Sequence, residues 1–344
     1  MTERQTLLQS IAQTTADYRA GELDAPTPEH VDRWIKQFDG AVQLPMLREM
    51  DHVLKRTYFS LERVTDFLRG LIGTEKLTGK DHCAFWRCVH FLDIQGGGNS
   101  QTEMLALFNE VLQEGCSFGV EQCGDEEAVY MYLDDAIFTG NRVRRDLEGW
   151  IANEAPSAAK LHTVSIALHS GGWHYASGYI AKAATAAGKR IDVTPWRAIE
   201  LEDRRNRTDS ADVLRPTTIP ADAAVESYVQ AMKHKPTLRR PGHLGVNALF
   251  SSEERRNVLE QEFLKAGARI RQMCPNLGDT QRPLGHITLE TLGFGSLIVT
   301  FRNCPNNAPL ALWVGEPWYP LFPRTTNSQT AIKRLFEDLT GGGG

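Results

Sequence analysis

The sequence predicts an α/β fold built on a parallel sheet, and two observations carry that reading. From about residue 86, short apolar segments of strand length alternate with amphipathic segments of helical period. Each strand-like segment also runs directly into a polar or glycine-rich loop that opens a helix, the texture of βαβ units joined by right-handed crossovers. At 344 residues the chain can bury a sizeable core, in one large or two ordinary domains.

Four segments follow from this reading: a helical N-terminal region over 1–80, an α/β core over 81–199, an insertion or lid over 200–243, and a part over 244–340 that completes the core. In the first, Leu7, Leu8 and Ile11 recur at helical spacing. Thr27-Pro28 reads as an N-cap with proline in the first helical position, ahead of Val31, Trp34, Ile35 and Phe38. A further helical stretch is predicted from about Pro45 to Gly73.

In the core, residues 88–94 read as a strand and 95–100 as a loop containing Gly96, Gly97, Gly98, Asn99 and Ser100. Residues 101–113 read as a helix, with Ser100 and Glu103 in a capping-box pattern at its start. The next strand is 129–133, followed by a helix over 141–152. A strand over 163–168, a loop over 169–173, a helix over 175–187 and a short strand over 190–193 complete the alternation. Residues 200–243 are charged and proline-punctuated, with a short helix near 221–233. Their locally basic surface (Arg204, Arg205, Arg207, Lys233, Lys235, Arg239, Arg240) reads equally as a lid or a solvated linker. Beyond it, Ser251 and Ser252 cap a helix that Gly267 is expected to end. Residues 297–301 and 310–314 are expected to add strands to the sheet.

Composition narrows the function classes. The net charge of −5 argues against a bulk nucleic-acid binder. The polar N-terminus shows no signal peptide, and no stretch is apolar enough to span a bilayer. Six cysteines at 83, 88, 116, 123, 274 and 304 form no C-x-x-C pair and match no zinc spacing. They are expected to be free thiols in a reducing cytoplasm.

The most informative stretch is residues 129–145. Apolar residues run into adjacent carboxylates, Asp134 and Asp135, and then Thr139-Gly140 opens a helix. Free N–H groups and the dipole at a helix start bind anions, while neighbouring carboxylates suit sugar hydroxyls or a metal. A ligand carrying a phosphate and a ribose asks for both. The alternative is a strand that simply ends at Asp135 and a threonine that simply caps a helix. The upstream glycine loop is neither a P-loop nor G-x-G-x-x-G, and it reads equally as a phosphate cradle or a tight turn.

Asp134-Asp135-Ala136-Ile137-Phe138-Thr139-Gly140 resembles, in spacing and residue type, the D-[DE]-x-x-x-T-G loop of type I phosphoribosyltransferases. The resemblance implies a three-layer α/β core and a phosphoribosyl pyrophosphate ligand. It places the ribose hydroxyls on Asp134 and Asp135, which would also face Mg²⁺ indirectly, through those hydroxyls or water. The 5′-phosphate would lie on Phe138, Thr139, Gly140, Asn141 and Arg142, and the pyrophosphate on residues 96–100. His169 and Trp173, after the next strand, read as flanking an acceptor or as a packing tryptophan and a surface histidine. The sequence departs from the family at Asn141-Arg142, where a small residue and Thr or Ser are usual.

Residues 249–256 (Leu-Phe-Ser-Ser-Glu-Glu-Arg-Arg) and 297–313, with the helical N-terminus, look like the phosphoribosyltransferase-like family of bacterial conflict systems. That resemblance spans about residue 30 to the mid-320s. It implies an effector of anti-phage defence with an operon partner such as a reverse transcriptase and its nucleic acid, or a non-catalytic nucleotide-sensing or scaffold subunit. The polar loop Arg302-Asn303-Cys304-Pro305-Asn306-Asn307 reads evenly as part of a pocket or as a hairpin turn.

Overall fold

The computed structural model describes residues 1–96, 100–124 and 129–324. Gly97, Gly98 and Asn99 of the expected phosphate loop therefore lie outside the described residues. The chain divides into two compact units, one formed by 1–60 with 205–344 and the other by 61–204. The second unit thus includes residues 61–80, expected with the N-terminal helices.

The first unit opens with α1 (Glu3–Thr14), α2 (Pro28–Ile35), α3 (Gly40–Thr57) and β1 (Tyr58–Phe59). Thr27 caps α2 as the sequence indicates, its hydroxyl accepting from the His30 N–H at 3.2 Å. The helix expected over Pro45–Gly73 is interrupted at β1, whose Tyr58 and Phe59 are both buried.

The second unit runs α4 (Leu61–Ile72), α5 (Glu75–Thr78), α6 (His82–Arg87), β2 (Val89–Leu92), α7 (Ser100–Cys116), β3 (Val129–Ile137), α8 (Asn141–Asn153), β4 (Ala158–His169), α9 (Ser170–Ala186) and β5 (Arg190–Leu201). Strands β2-β3-β4-β5 form one parallel sheet in that order, with Val89 beside Val129, Tyr132 beside Thr163 and Leu161 beside Val193. Successive side chains of a strand point to opposite faces. One face carries Tyr130, Tyr132 and Leu161 against Val143, Leu147 and Trp150 of α8 and Ala176 and Ile180 of α9. The other carries Phe91, whose ring lies 6.2 Å from Trp86 and 5.2 Å from Phe108 of α7. Helices therefore cover both faces, and central strand β4 is buried without a break from Thr163 to His169.

Three expectations change here. The loop expected at 169–173 does not exist, because β4 ends at His169 and α9 starts at Ser170. Strand β5 continues eight residues past Val193 despite Pro195. As an edge strand it pairs only with β4, so one side of its backbone needs no partner and a missing N–H is tolerated. The six cysteines are not all free, since Cys83 and Cys116 form a disulfide joining α6 to the end of α7. Their spacing of 33 residues hid the pair, which folding brings to a Cα separation of 5.5 Å. Among the described residues no cluster of His, Cys, Asp or Glu could hold a metal by itself, and no helix is long and apolar enough to cross a membrane.

The first unit resumes with α10 (Ala223–Gln230), α11 (Glu253–Met273), β6 (Gln281–Arg282), β7 (Gly285–His286), β8 (Val299–Thr300) and α12 (Leu310–Trp313). The two strands expected to extend the sheet do not. Val299–Thr300 pairs in parallel with Tyr58–Phe59, and Leu310–Trp313 is helical, so these residues complete a different core. That core is aromatic: Phe38 packs edge-on to Trp34 and Trp318 at 5.3 and 5.6 Å. Arg239, read as surface, is fully buried between Glu260 and Glu253 at 3.0 and 2.9 Å, with Arg256 on Glu260 at 2.7 Å. A buried guanidinium holds its charge only with such partners.

Gly267 was expected to end α11 but lies within it. Its reason is tertiary, because a Cβ there would stand 2.3 Å from the Pro283 carbonyl oxygen. Gly267→Ala should therefore destabilise the protein by about 2–4 kcal/mol although alanine is the better helix former. Denaturant unfolding checks this, and a stabilised variant would refute the close approach.

Candidate functional site

The candidate site lies at the carboxyl edge of the four-stranded sheet, where ligands bind in open α/β folds. Strand β3 carries the acidic pair to that edge. Asp134 is 4% exposed, and its Oδ1 accepts from the Asp135 N–H at 2.9 Å. Asp135 is half-buried, with Oδ1 accepting from the Ala136 N–H at 2.7 Å. Burial, then the neighbouring Asp135 charge, push the Asp134 carboxyl up from 3.8 to about 7, against the pull of Ser100, the Asp135 N–H and Arg142. Tyr132, also fully buried, donates to Asp146 at 2.8 Å.

After β3 the chain turns through Phe138-Thr139-Gly140 into α8. Gly140 sits in the left-handed region at φ 74°, and no side chain caps the helix. The turn is held by contact of backbone with backbone. A Cβ on Gly140 would stand 2.1 Å from the Gly172 carbonyl oxygen, and one on Gly172 would stand 1.8 Å from that of Phe138. Only glycine at both positions lets the loop seat on the first turn of α9. Asn141 Nδ2 reaches Thr139 Oγ1 at 3.4 Å, Thr139 is half-buried, and Arg142 is exposed on the first turn of α8.

The two adjacent helix starts differ. That of α9 is occupied by protein carboxylates: Gly171 N–H donates to Asp203 at 2.6 Å and the Ser170 hydroxyl to Glu202 at 3.0 Å. Although burial pushes it up, hydrogen bonds from Arg204 and Ser170 bring Glu202 down to about 2, so it stays charged. With Gly140 as its N-cap, α8 has no side chain in that role.

The first loop arrives through Ser100, whose hydroxyl hydrogen-bonds the Asp134 carboxylate. Two glutamines close the base of that loop. Gln101 Oε1 accepts from Ile94 and Gln95 N–H at 2.7 and 2.9 Å, while Gln95 Oε1 accepts from Gln101 N–H at 3.2 Å and Gln95 Nε2 donates to Ser100 at 2.9 Å. Gly96 is exposed at its start. Sequence reasoning passed over this latch, although identical amides bracketing the glycines were a usable signal. It also passed over Ser165, which lies opposite Asp134 in register. Among the described residues, the buried Ser165 hydroxyl and Gln101 Nε2 have no hydrogen-bond partner, and such groups call for an explanation.

The residues expected to flank an acceptor lie deeper. His169 is fully buried, 5.0 Å from the Phe138 ring, with Nδ1 at 3.3 Å from the Ile137 carbonyl. Burial lowers it to about 3, so it is neutral and holds no proton to give as an imidazolium. Trp173 packs against the core beneath α8 and α9, and His174 is exposed. Arg144 donates to the Tyr175 hydroxyl at 2.8 Å. Arg302, Asn303, Asn306 and Asn307 belong to the other unit, where Asn307 is buried and donates to the His286 carbonyl at 2.8 Å.

The acidic pair fits Mg²⁺ only in company. Two carboxylates do not complete a hard-cation shell, so a cation would need ligand oxygens or water as well. The upward pull on Asp134 marks unrelieved negative charge that a cation or hydroxyl donor would offset.

Two outcomes follow. A carboxyl whose folded value is raised opposes folding once ionised, so its cost appears as pH rises from about 4 through about 7. Asp134→Asn should thus stabilise the protein at pH 8, on the order of a few kcal/mol, with the gain vanishing near pH 4. Urea titrations at both pH values measure this, and an equal effect at both would refute it. Gly172→Ala should cost about 3 kcal/mol or more and dislodge the 138–140 turn, seen as a lower Tm with faster amide exchange at Phe138–Gly140.

No curated protein and no solved structure matches this chain. The family model described as PRTase-CE matches residues 31–324, which include the whole acidic strand, the Thr139-Gly140 turn and both glycine contacts. The chain belongs to the PRTase-CE family, a phosphoribosyltransferase-like family.

Proposed function

We propose that the site binds phosphoribosyl pyrophosphate or a related nucleotide and supports transfer or hydrolysis at the ribose anomeric carbon. The observation that carries this is the joining, within one turn, of the buried Asp134–Asp135 pair to the start of α8. The carboxylates accept from the ribose 2′- and 3′-hydroxyls. The Thr139 hydroxyl and the N–H groups of the turn take the 5′-phosphate, with Asn141 and Arg142 adding contacts. The Gly96–Ser100 loop, closed by Gln95 and Gln101, takes the pyrophosphate. Mg²⁺, when bound, would supply positive charge to the departing pyrophosphate.

Bond breaking at the anomeric carbon builds positive charge on the ribose, and Asp134 and Asp135 place negative charge beside it. The leaving group already carries the electrons away, so stabilising it matters more than a strong base. The neutral, buried His169 agrees with that division of labour.

Asn141-Arg142 favours a second reading, nucleotide sensing without turnover, because these side chains would grip a phosphate more tightly than the small residue and hydroxyl usual there. Either reading suits an effector or scaffold subunit of a bacterial anti-phage system with a partner such as a reverse transcriptase and its nucleic acid. That context rests on the sequence resemblance alone.

Pyrophosphate release from phosphoribosyl pyrophosphate with Mg²⁺ tests turnover, and calorimetry tests binding. The catalytic reading expects release that Asp134→Asn with Asp135→Asn abolishes. Binding without release supports sensing, and neither would overturn both. If binding needs Asp134 ionised, affinity should rise by up to about tenfold per pH unit below 7 and level off above it. Asp135→Asn should move that profile to lower pH.

A further inference from the structure

The first unit holds a cleft of about 780 Å³, the size range of small-molecule pockets. Tyr228, Lys233, Arg271, Asp279, Arg282 and Glu290 line it. Arg239, Arg256 and Arg269 each pair with a carboxylate. Among the described residues no carboxylate lies within ion-pair distance of the Lys233 ammonium or of the Arg271 and Arg282 guanidinium groups, while Glu290 accepts from the Lys233 N–H at 3.0 Å. Backbone holds Arg271 instead, through the Gly278 carbonyl at 3.1 Å and that of Gln281. Its guanidinium stands 5.9 Å from the Tyr228 ring centre. The Tyr228 phenol hydrogen-bonds Arg282 and donates to the Thr291 carbonyl at 3.1 Å, and the buried Arg282 Nε has no partner among the described residues. The cleft thus gathers three such cations in a chain of net charge −5.

We infer that this cleft is a second ligand site, taking a nucleoside phosphate. The phosphates lie among Lys233, Arg271 and Arg282, the guanidinium forks offering paired donors. Apolar Met232 and half-exposed Leu289 meet the base. Asp279 and Glu290 suit ribose hydroxyls or a base amine, and they would repel the continuous phosphate backbone of a nucleic-acid strand. This favours a compact nucleotide over a polymer. The inference does not depend on the function proposed for the acidic pair.

Photolabelling the full chain with 8-azido-ATP, followed by peptide mapping, tests it. Saturable label is expected on peptides spanning 228–234 or 279–290, and ATP should compete. Lys233→Gln, at an exposed position that leaves the fold intact, and Arg282→Gln should each reduce this labelling by about tenfold, while Asp134→Asn with Asp135→Asn leaves it unchanged. Label confined to residues 94–145, or label here that Lys233→Gln does not alter, overturns the inference. So does competition by a single-stranded oligonucleotide but not by ATP.

Discussion

The site depends on one contact, the seating of the Phe138–Gly140 backbone on the first turn of α9 at Gly172. Two glycines meet where neither could carry a Cβ, and this sets the direction in which α8 leaves the sheet. The start of α8 is thereby held beside the end of β3. A side chain at either glycine would force the turn away, and the start of α8 would no longer lie beside the acidic pair. Burial of Val143, Leu147 and Trp150 beneath α8 then locks the arrangement from below.

The electrostatics follow from that placement. A buried carboxyl beside a second carboxylate is an unfavourable arrangement that packing must hold in place. Ser100, Arg142 and the Asp135 N–H relieve part of it and leave the rest for a ligand. At α9 Asp203 takes the Gly171 N–H and a charged Glu202 takes the Ser170 hydroxyl. Two helix starts on one sheet edge thus differ in whether a carboxylate of the same unit lies against them.

The second unit could be read well from sequence because its signals are local. Strand β3, the turn and α8 lie within residues 129–153, and their apolar periods are undisturbed. Strand β5 runs on through Pro195 because an edge strand tolerates the missing N–H, and edge position is a property of the sheet. The helix thought to end at Gly267 failed for a related reason, since a glycine needed for close approach looks the same as one that ends a helix. The Cys83–Cys116 bond and the Val299–Thr300 pairing with Tyr58–Phe59 join residues far apart in the chain, beyond the reach of any spacing rule.

By itself the sequence determined the α/β class, the acidic pair at the end of β3 and the Thr139-Gly140 turn into α8, because each rests on residue types within a few positions of one another. Tertiary structure alone decided that Gly172 supports the turn, that Gln95 and Gln101 latch the first loop, that His169 is sealed and neutral, and that Asp134 is driven toward protonation. Those properties arise from neighbours brought together across the sheet, where burial and close approach, rather than residue identity, set the energies.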